Sequence, residues 1–188
     1  SFSPKERNDA ESDLRKMGVP SGKNYICVVA RDSKYLNKIK ESWDWSYHNY
    51  RNSNIQNYVM ACEELSKNGY YVIRMGSEVQ DAMLTYDPKI IELDIDGHRT
   101  ELLDIYLSAN CKFFINGESG LGGVPRIFRR PLIMVNIAPL EYILSWASNI
   151  ISIPKKLWLI NEKRIMTFNE IYKSGAGRFL KTDQYENM

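Results

Sequence analysis

Apolar residues along the chain fall into short runs separated by polar or periodic stretches. Tyr25-Ile26-Cys27-Val28-Val29-Ala30 is an unbroken run, the pattern of a strand covered on both faces. Tyr71-Val72-Ile73, Ile90-Ile91-Glu92-Leu93, Lys112-Phe113-Phe114-Ile115 and Leu132-Ile133-Met134-Val135 predict four more strands. Helical signals lie between and before them. Ser3-Pro4-Lys5-Glu6 offers a capping residue, a proline at the first helical position and the glutamate of a capping box, and Gly18 ends that helix after Met17. Ser53 and Gln56 form a second capping box ahead of Ile55, Tyr58, Val59, Cys62 and Leu65, which follow helical spacing until Gly69. Leu102, Leu103, Ile105, Tyr106 and Leu107 predict a third helix, and a fourth runs through Phe128, placing Arg126, Arg129 and Arg130 on one face. Residues 33–52 show no period, and a connection that long inside a compact domain is functional or mobile. Strands alternating with helices predict an α/β fold with a doubly wound parallel sheet of about five strands and helices on both faces. After residue 137 the pattern loosens, with a helix predicted at 167–172 and a loop at Ser174-Gly175-Ala176-Gly177.

Composition narrows the class. The 188 residues are 44% hydrophobic and 26% charged, which is ordinary globular usage. Twenty-five Lys and Arg against twenty-three Asp and Glu leave a net charge of +2, so no global field recruits nucleic acid. Cys27, Cys62 and Cys111 form no CxxC pair, which argues against structural zinc, and each sits in an apolar run as a small buried hydrophobe. The unpaired cysteines predict a reducing, cytoplasmic setting. The most apolar long stretch, 131–153, is broken by Asn136, Pro139, Glu141, Ser145 and Asn149, so no transmembrane segment is predicted. The chain opens at Ser1, from which a piece of a longer protein is expected.

In an open parallel sheet, ligands bind outside the carboxyl ends of the strands. Here those ends carry Arg31, Arg74, the Asp94/Asp96 pair, the loop at 116–123 and Asn136. Two arginines and a glycine-rich turn leading into a helix suit a phosphate-bearing ligand, since guanidinium forks and backbone amides both favour anions. The loop Asn116-Gly117-Glu118-Ser119-Gly120-Leu121-Gly122-Gly123 lacks the Lys-Ser/Thr ending of a nucleoside-triphosphatase P-loop, and Pro125 spoils a GxGxxG match. It begins like a nucleophile elbow, but Leu121 replaces the second glycine, and the two histidines, His48 and His98, both precede Ser119, which argues against a serine hydrolase. Asp94-Ile95-Asp96 has the form of a metal-binding DxD, although Gly97 makes it read as a turn. His48, within an aromatic segment, is either a general base or a packing residue.

Several segments together resemble a family of bacterial glycosyltransferases: His48-Asn49-Tyr50-Arg51-Asn52-Ser53-Asn54-Ile55, Gly69-Tyr70-Tyr71-Val72-Ile73-Arg74-Met75-Gly76, Phe114-Ile115-Asn116-Gly117-Glu118-Ser119-Gly120-Leu121 with Pro125, Thr167-Phe168, and Ser174-Gly175-Ala176-Gly177-Arg178-Phe179. The resemblance runs from about residue 2 to the end. In broad plan the chain also looks like the donor half of fucosyltransferase-type enzymes, though Ala30 stands where many relatives carry histidine. The resemblance implies a GT-B plan of two Rossmann-like domains facing across a cleft, of which this chain would be the donor-binding half and an N-terminal half would be absent. Residues 1–137 would form the Rossmann-like nucleotide-sugar-binding domain and 138–188 a C-terminal extension packed on it. It further implies sugar transfer from a nucleoside diphosphate sugar to a glycan or glycolipid acceptor at the inner face of a membrane, without a metal or other cofactor. Arg31 and Arg74 would neutralise the leaving group, and Asn116, Gly117, Glu118, Ser119, Gly120, Leu121 and Gly122 would hold the donor. The rival expectation is a non-catalytic nucleotide-binding or protein-docking module that uses the loop bearing Trp43 and Trp45.

Overall fold

The structure, a computed structural model, describes residues 1–186. Its centre is a parallel sheet of six strands in the order β3-β2-β1-β4-β5-β6. The strands are β1 (Tyr25–Ala30), β2 (Tyr71–Arg74), β3 (Ile90–Glu92), β4 (Phe114–Gly117), β5 (Leu132–Ile137) and β6 (Ile150–Pro154). Every pairing is parallel, with Val28 opposite Arg74 on one side of β1 and Ala30 opposite Gly117 on the other. The chain winds outward from β1 to β3, then returns to β4 and continues the other way. The point where the order reverses lies between β1 and β4, the position at which such sheets bind ligands.

Helices α1 (Pro4–Lys16), α2 (Lys34–Ile39), α3 (Gln56–Lys67), α4 (Glu101–Asn110) and α5 (Gly123–Ile127) accompany the sheet. One face of β1 sends Cys27 and Val29 into a core with Leu14, Leu103, Leu107 and Phe114, beneath α1 and α4. The other sends Ile26 and Val28 against Tyr58 and Cys62 of α3. Both faces of β1 are therefore covered, as its unbroken apolar run requires. All three cysteines are free and buried. The Ser3–Glu6 capping box forms as expected, and Gly18 takes a left-handed φ of 88° just past the end of α1.

Three expectations are corrected. A sixth strand, β6, joins the sheet from the segment after residue 137, so the α/β sheet is one strand wider than the sequence pattern shows. Helix α3 begins at Gln56, and Ser53 does not cap it: the Ser53 hydroxyl pairs with the Tyr58 hydroxyl at 3.0 Å, while Asn54 Oδ1 accepts from the Gln56 amide at 2.8 Å. The 33–52 connection holds α2 and a 3₁₀ turn over Ser46–Arg51. Helix α5 stops at Ile127, so the three arginines after Pro125 share no helical face. Arg126 lies over the Trp146 ring at 5.6 Å, Arg129 has φ 56°, and Arg130 Nε donates to the Ala109 carbonyl at 2.5 Å.

The C-terminal part adds an antiparallel pair, β7 (Trp158–Leu159) with β8 (Arg164–Ile165), then α6 (Phe168–Ser174) and α7 (Thr182–Glu186). Thr167 and Glu170 cap α6 reciprocally. Thr182 on α7 accepts from the Tyr50 amide at 3.1 Å and donates to the Ser46 carbonyl at 2.8 Å, so the tail braces the turn beside the switch point. Among the described residues no helix is long and apolar enough to cross a membrane.

Candidate functional site

At the carboxyl ends of β1, β2 and β4 lies a cleft of about 540 Å³, within the usual range for small-molecule sites. Its lining comes from Val29 to Asp32 after β1, Gly76 and Ser77 after β2, Glu118 to Leu121 after β4, Trp45, His48 and Arg51 of the long connection, and Arg99 and Asp104 beside α4.

The loop after β4 is built from the inside. Asn116 is buried, and its Oδ1 accepts from the Ser119 amide at 3.0 Å. A Cβ at Gly122 would come within 2.2 Å of Asn116 Nδ2, and one at Gly117 within 2.4 Å of the Tyr58 hydroxyl and 3.0 Å of the Val29 carbonyl. Asn116, Gly117 and Gly122 thus shape the loop and stay out of the cleft lining, whereas Glu118, Ser119, Gly120 and Leu121 face it. Ser119 Oγ accepts from the Leu121 amide at 3.3 Å, which leaves its proton for a ligand oxygen. The amides of Ser119, Leu121, Gly122 and Gly123 all donate within the loop, and α5 is only five residues long. Positive charge in the cleft therefore comes from side chains more than from backbone.

Those side chains are Arg31 and Arg51, with Arg99 paired to Asp104 at the α4 end of the cleft. Arg31 Nη1 donates to the Asn52 Oδ1 and to the His48 carbonyl, the latter at 3.2 Å. Arg51 Nε meets Glu118 Oε2 at 3.3 Å and its Nη2 donates to the Glu118 carbonyl at 3.0 Å. Glu118 is buried with a left-handed φ of 57°. Burial pushes its carboxyl pKa up, with Arg51 opposing. Lys155 Nζ donates to the Tyr50 and Asn52 carbonyls at 2.8 and 2.7 Å, and burial lowers its pKa. Burial first, then the charges of Arg31 and Arg51, lower the His48 pKa, and His48 Nδ1 is buried with no hydrogen-bond partner. Its ring stacks with Trp45 and tilts against Tyr47 at 4.0 Å.

The structure separates Arg74 from this group. Arg74 is 2% exposed, pairs with Glu92 and donates to the Asp81 carbonyl, outside the cleft lining. The second cleft arginine is Arg51, which sequence reasoning missed. The signal that could have found it was Glu118, an acid predicted at a strand end that needs a cation once buried. Asp94 Oδ2 accepts from the Val79 amide at 3.3 Å and Asp96 Oδ2 from the Glu92 amide at 2.9 Å, so that pair holds turns. Asn136 lies across β4 and donates to the Tyr58 hydroxyl at 3.1 Å. Trp43 is exposed, stacked on Trp45 with Lys40 over its ring.

No described protein family matches the sequence, and no curated protein matches it. The fold is similar to that of E. coli ADP-heptose LPS heptosyltransferase II, with a TM-score of 0.57 at 18% identity. The match covers 84% of this chain and 44% of the heptosyltransferase, so the chain spans less than half the length of that protein while sharing its α/β architecture.

Proposed function

We propose that the chain is the donor-binding half of a glycosyltransferase of GT-B type, which moves a sugar from a nucleoside diphosphate sugar to a glycan or glycolipid acceptor. The observation that carries this is the convergence of Arg31, Arg51 and Ser119 on one cleft at the sheet's switch point, in a fold similar to that of a heptosyltransferase. The two guanidinium groups would grip the diphosphate, and the Ser119 hydroxyl would donate to one of its oxygens. As the acceptor hydroxyl oxygen bonds to the anomeric carbon and releases its proton to solvent, the bond from that carbon to the diphosphate oxygen breaks, and charge grows on the departing group. Fixed cations stabilise that charge more than they stabilise the bound donor, which is how they accelerate transfer. Arg31 and Arg51 would do this without a metal ion. Glu118 and Lys155 are positioning residues, since one orients Arg51 and the other clamps the carbonyls that flank it.

The test is a thermal-shift series with UDP, GDP, CDP, ADP and dTDP, with and without Mg²⁺, on the natural chain and on Arg31→Ala and Arg51→Ala. Ligand at about 100 times its dissociation constant stabilises by roughly 2.7 kcal/mol, a shift of about 5–10 °C for a chain of this size. A Mg²⁺-independent shift with one diphosphate, lost in both variants, is expected. A docking module would show no shift with any diphosphate.

A further inference from the structure

Among the described residues, four buried side-chain polar atoms lack a hydrogen-bond partner, and three of them belong to residues lining the cleft: His48 Nδ1, Arg99 Nε and Asp104 Oδ1. A buried polar atom left unmet in a dry site is costly, so it is more often paired. Two of the three sit side by side, because Arg99 Nη2 donates to Asp104 Oδ2 at 2.7 Å. One guanidinium N–H and one carboxylate oxygen are thus left over next to each other.

Their positions are fixed by the backbone. Asp104 lies in the first turns of α4, its amide donating to the Thr100 carbonyl at 3.0 Å and its carbonyl accepting from Ser108 Oγ at 2.6 Å. Arg99 immediately precedes Thr100, whose hydroxyl accepts from the Leu103 amide at 3.1 Å and caps the helix. Asp104 is largely buried, and nearby Asp94 already accepts from the Val79 amide at 3.3 Å. Charge differs between the two ends of the cleft. Around the β4 loop Arg31 and Arg51 stand against Asp32 and Glu118 in the lining, and Lys155 outside it leaves one positive charge over, while Arg99 and Asp104 cancel beside α4. A phosphate placed beside the free Asp104 oxygen would be repelled, so this end takes the uncharged part of a ligand whose anionic part lies at the other.

We propose that Arg99 and Asp104 form a nucleobase-reading pair, in which Asp104 Oδ1 accepts from a ring or exocyclic N–H and Arg99 Nε donates to the acceptor beside it on the same base edge. This deepens the donor-binding reading and rests on it. A carboxylate oxygen accepts and never donates, so the pair imposes a donor-beside-acceptor order on the edge it meets. A site built to meet such an edge rejects ligands that leave its buried groups unpaired. The pair therefore selects among bases and does not merely hold any nucleotide.

Calorimetric titration with pyrophosphate and with UDP, GDP, CDP, ADP and dTDP tests this on the natural chain, Asp104→Asn and Arg99→Gln. The natural chain should prefer one diphosphate, and Asp104→Asn should weaken that one at least tenfold, compress the preference among bases, and leave pyrophosphate unchanged. Arg99→Gln should do the same, and the melting temperature of each variant establishes that it is folded. Equal weakening of all five nucleotides, with pyrophosphate spared, would move the contact to the ribose and overturn the base assignment. No change in either variant would overturn it as well, leaving the leftover atoms to water. If neither pyrophosphate nor any nucleotide bound the natural chain, the donor-binding reading itself would fall, and this proposal with it.

Discussion

Gly117 offers the sharpest check on how the cleft is built. Substituting Gly117→Ala places a methyl carbon 2.4 Å from the Tyr58 hydroxyl, 3.0 Å from the Val29 carbonyl and 3.2 Å from Ser53 Oγ. Tyr58 cannot swing freely, because its hydroxyl is bonded to Ser53 and Asn136 and its ring is packed in the core beneath α3. The Val29 carbonyl belongs to the neighbouring strand and moves only with it. Overpacking of this kind costs about 1–3 kcal/mol, and displacing the tyrosine loses two hydrogen bonds of about 1 kcal/mol each. The expected total is about 3–5 kcal/mol, or a fall in melting temperature of roughly 6–20 °C. Gly120→Ala is the control: nothing lies within 4 Å of its Cβ and its φ is not left-handed, so stability should be unchanged or slightly raised. In a Tyr58→Phe background the added cost of Gly117→Ala should fall by half or more. Thermal and urea unfolding of the natural chain, the three single variants and the double variant read this directly. A Gly117→Ala cost below about 1 kcal/mol, or one equally large beside Phe at position 58, would refute the packing explanation.

Arg74→Met should lose about 3–5 kcal/mol by leaving Glu92 as an unpaired buried charge, with Arg74→Met/Glu92→Met recovering most of it; diphosphate affinity of the folded double variant should match the natural chain, and a tenfold loss there would return Arg74 to the site. His48 has its pKa depressed, so it contributes stability above about pH 6.5 that is lost as pH falls through the depressed folded value; His48→Gln should flatten the stability profile between about pH 5 and 7. An arriving diphosphate offsets the two guanidiniums and so favours protonated His48. The proton uptake read from the buffer dependence of the binding enthalpy near pH 6 should be smaller in His48→Gln, the ligand's own phosphate titration being common to both chains. Lys155→Met should weaken diphosphate binding several-fold by loosening the Tyr50 and Asn52 carbonyls, and unchanged affinity would deny Lys155 its positioning role.

The fold was legible wherever one local rule decided the outcome. The unbroken run of β1, the capping box of α1 and the alternation of strands with helices all depend on near neighbours, and all appear as expected. Where two local rules competed, the pattern misled. Ser53 and Gln56 have capping-box spacing, but the Ser53 hydroxyl is drawn to Tyr58, and the helix starts without a side-chain cap. The sixth strand escaped notice because β6 alternates half-buried and exposed residues at the sheet's edge, so Ile150-Ile151-Ser152-Ile153 carries no two-sided apolar signal.

The site was legible to a lesser degree, for a reason of distance along the chain. A strand end marks where a ligand could lie, which is why Arg31 and Ser119 could be named from the β1 and β4 ends alone. Whether a strand-end charge faces that place depends on what else folds against it. Arg74 ends β2 just as Arg31 ends β1, yet Arg74 meets Glu92 on the adjacent strand and is buried, while Arg31 is held by Asn52 and the His48 carbonyl and stays at the cleft. The partners of Arg51 and Lys155, Glu118 and the Tyr50 and Asn52 carbonyls, are set only when the long connection folds over the β4 loop. The same applies to the leftover atoms of Arg99 and Asp104: their pairing is local, but their facing the cleft is not. Chemistry that relies on one residue type at one strand end can thus be read from sequence, whereas chemistry that relies on which charge has been neutralised by a distant neighbour needs the fold.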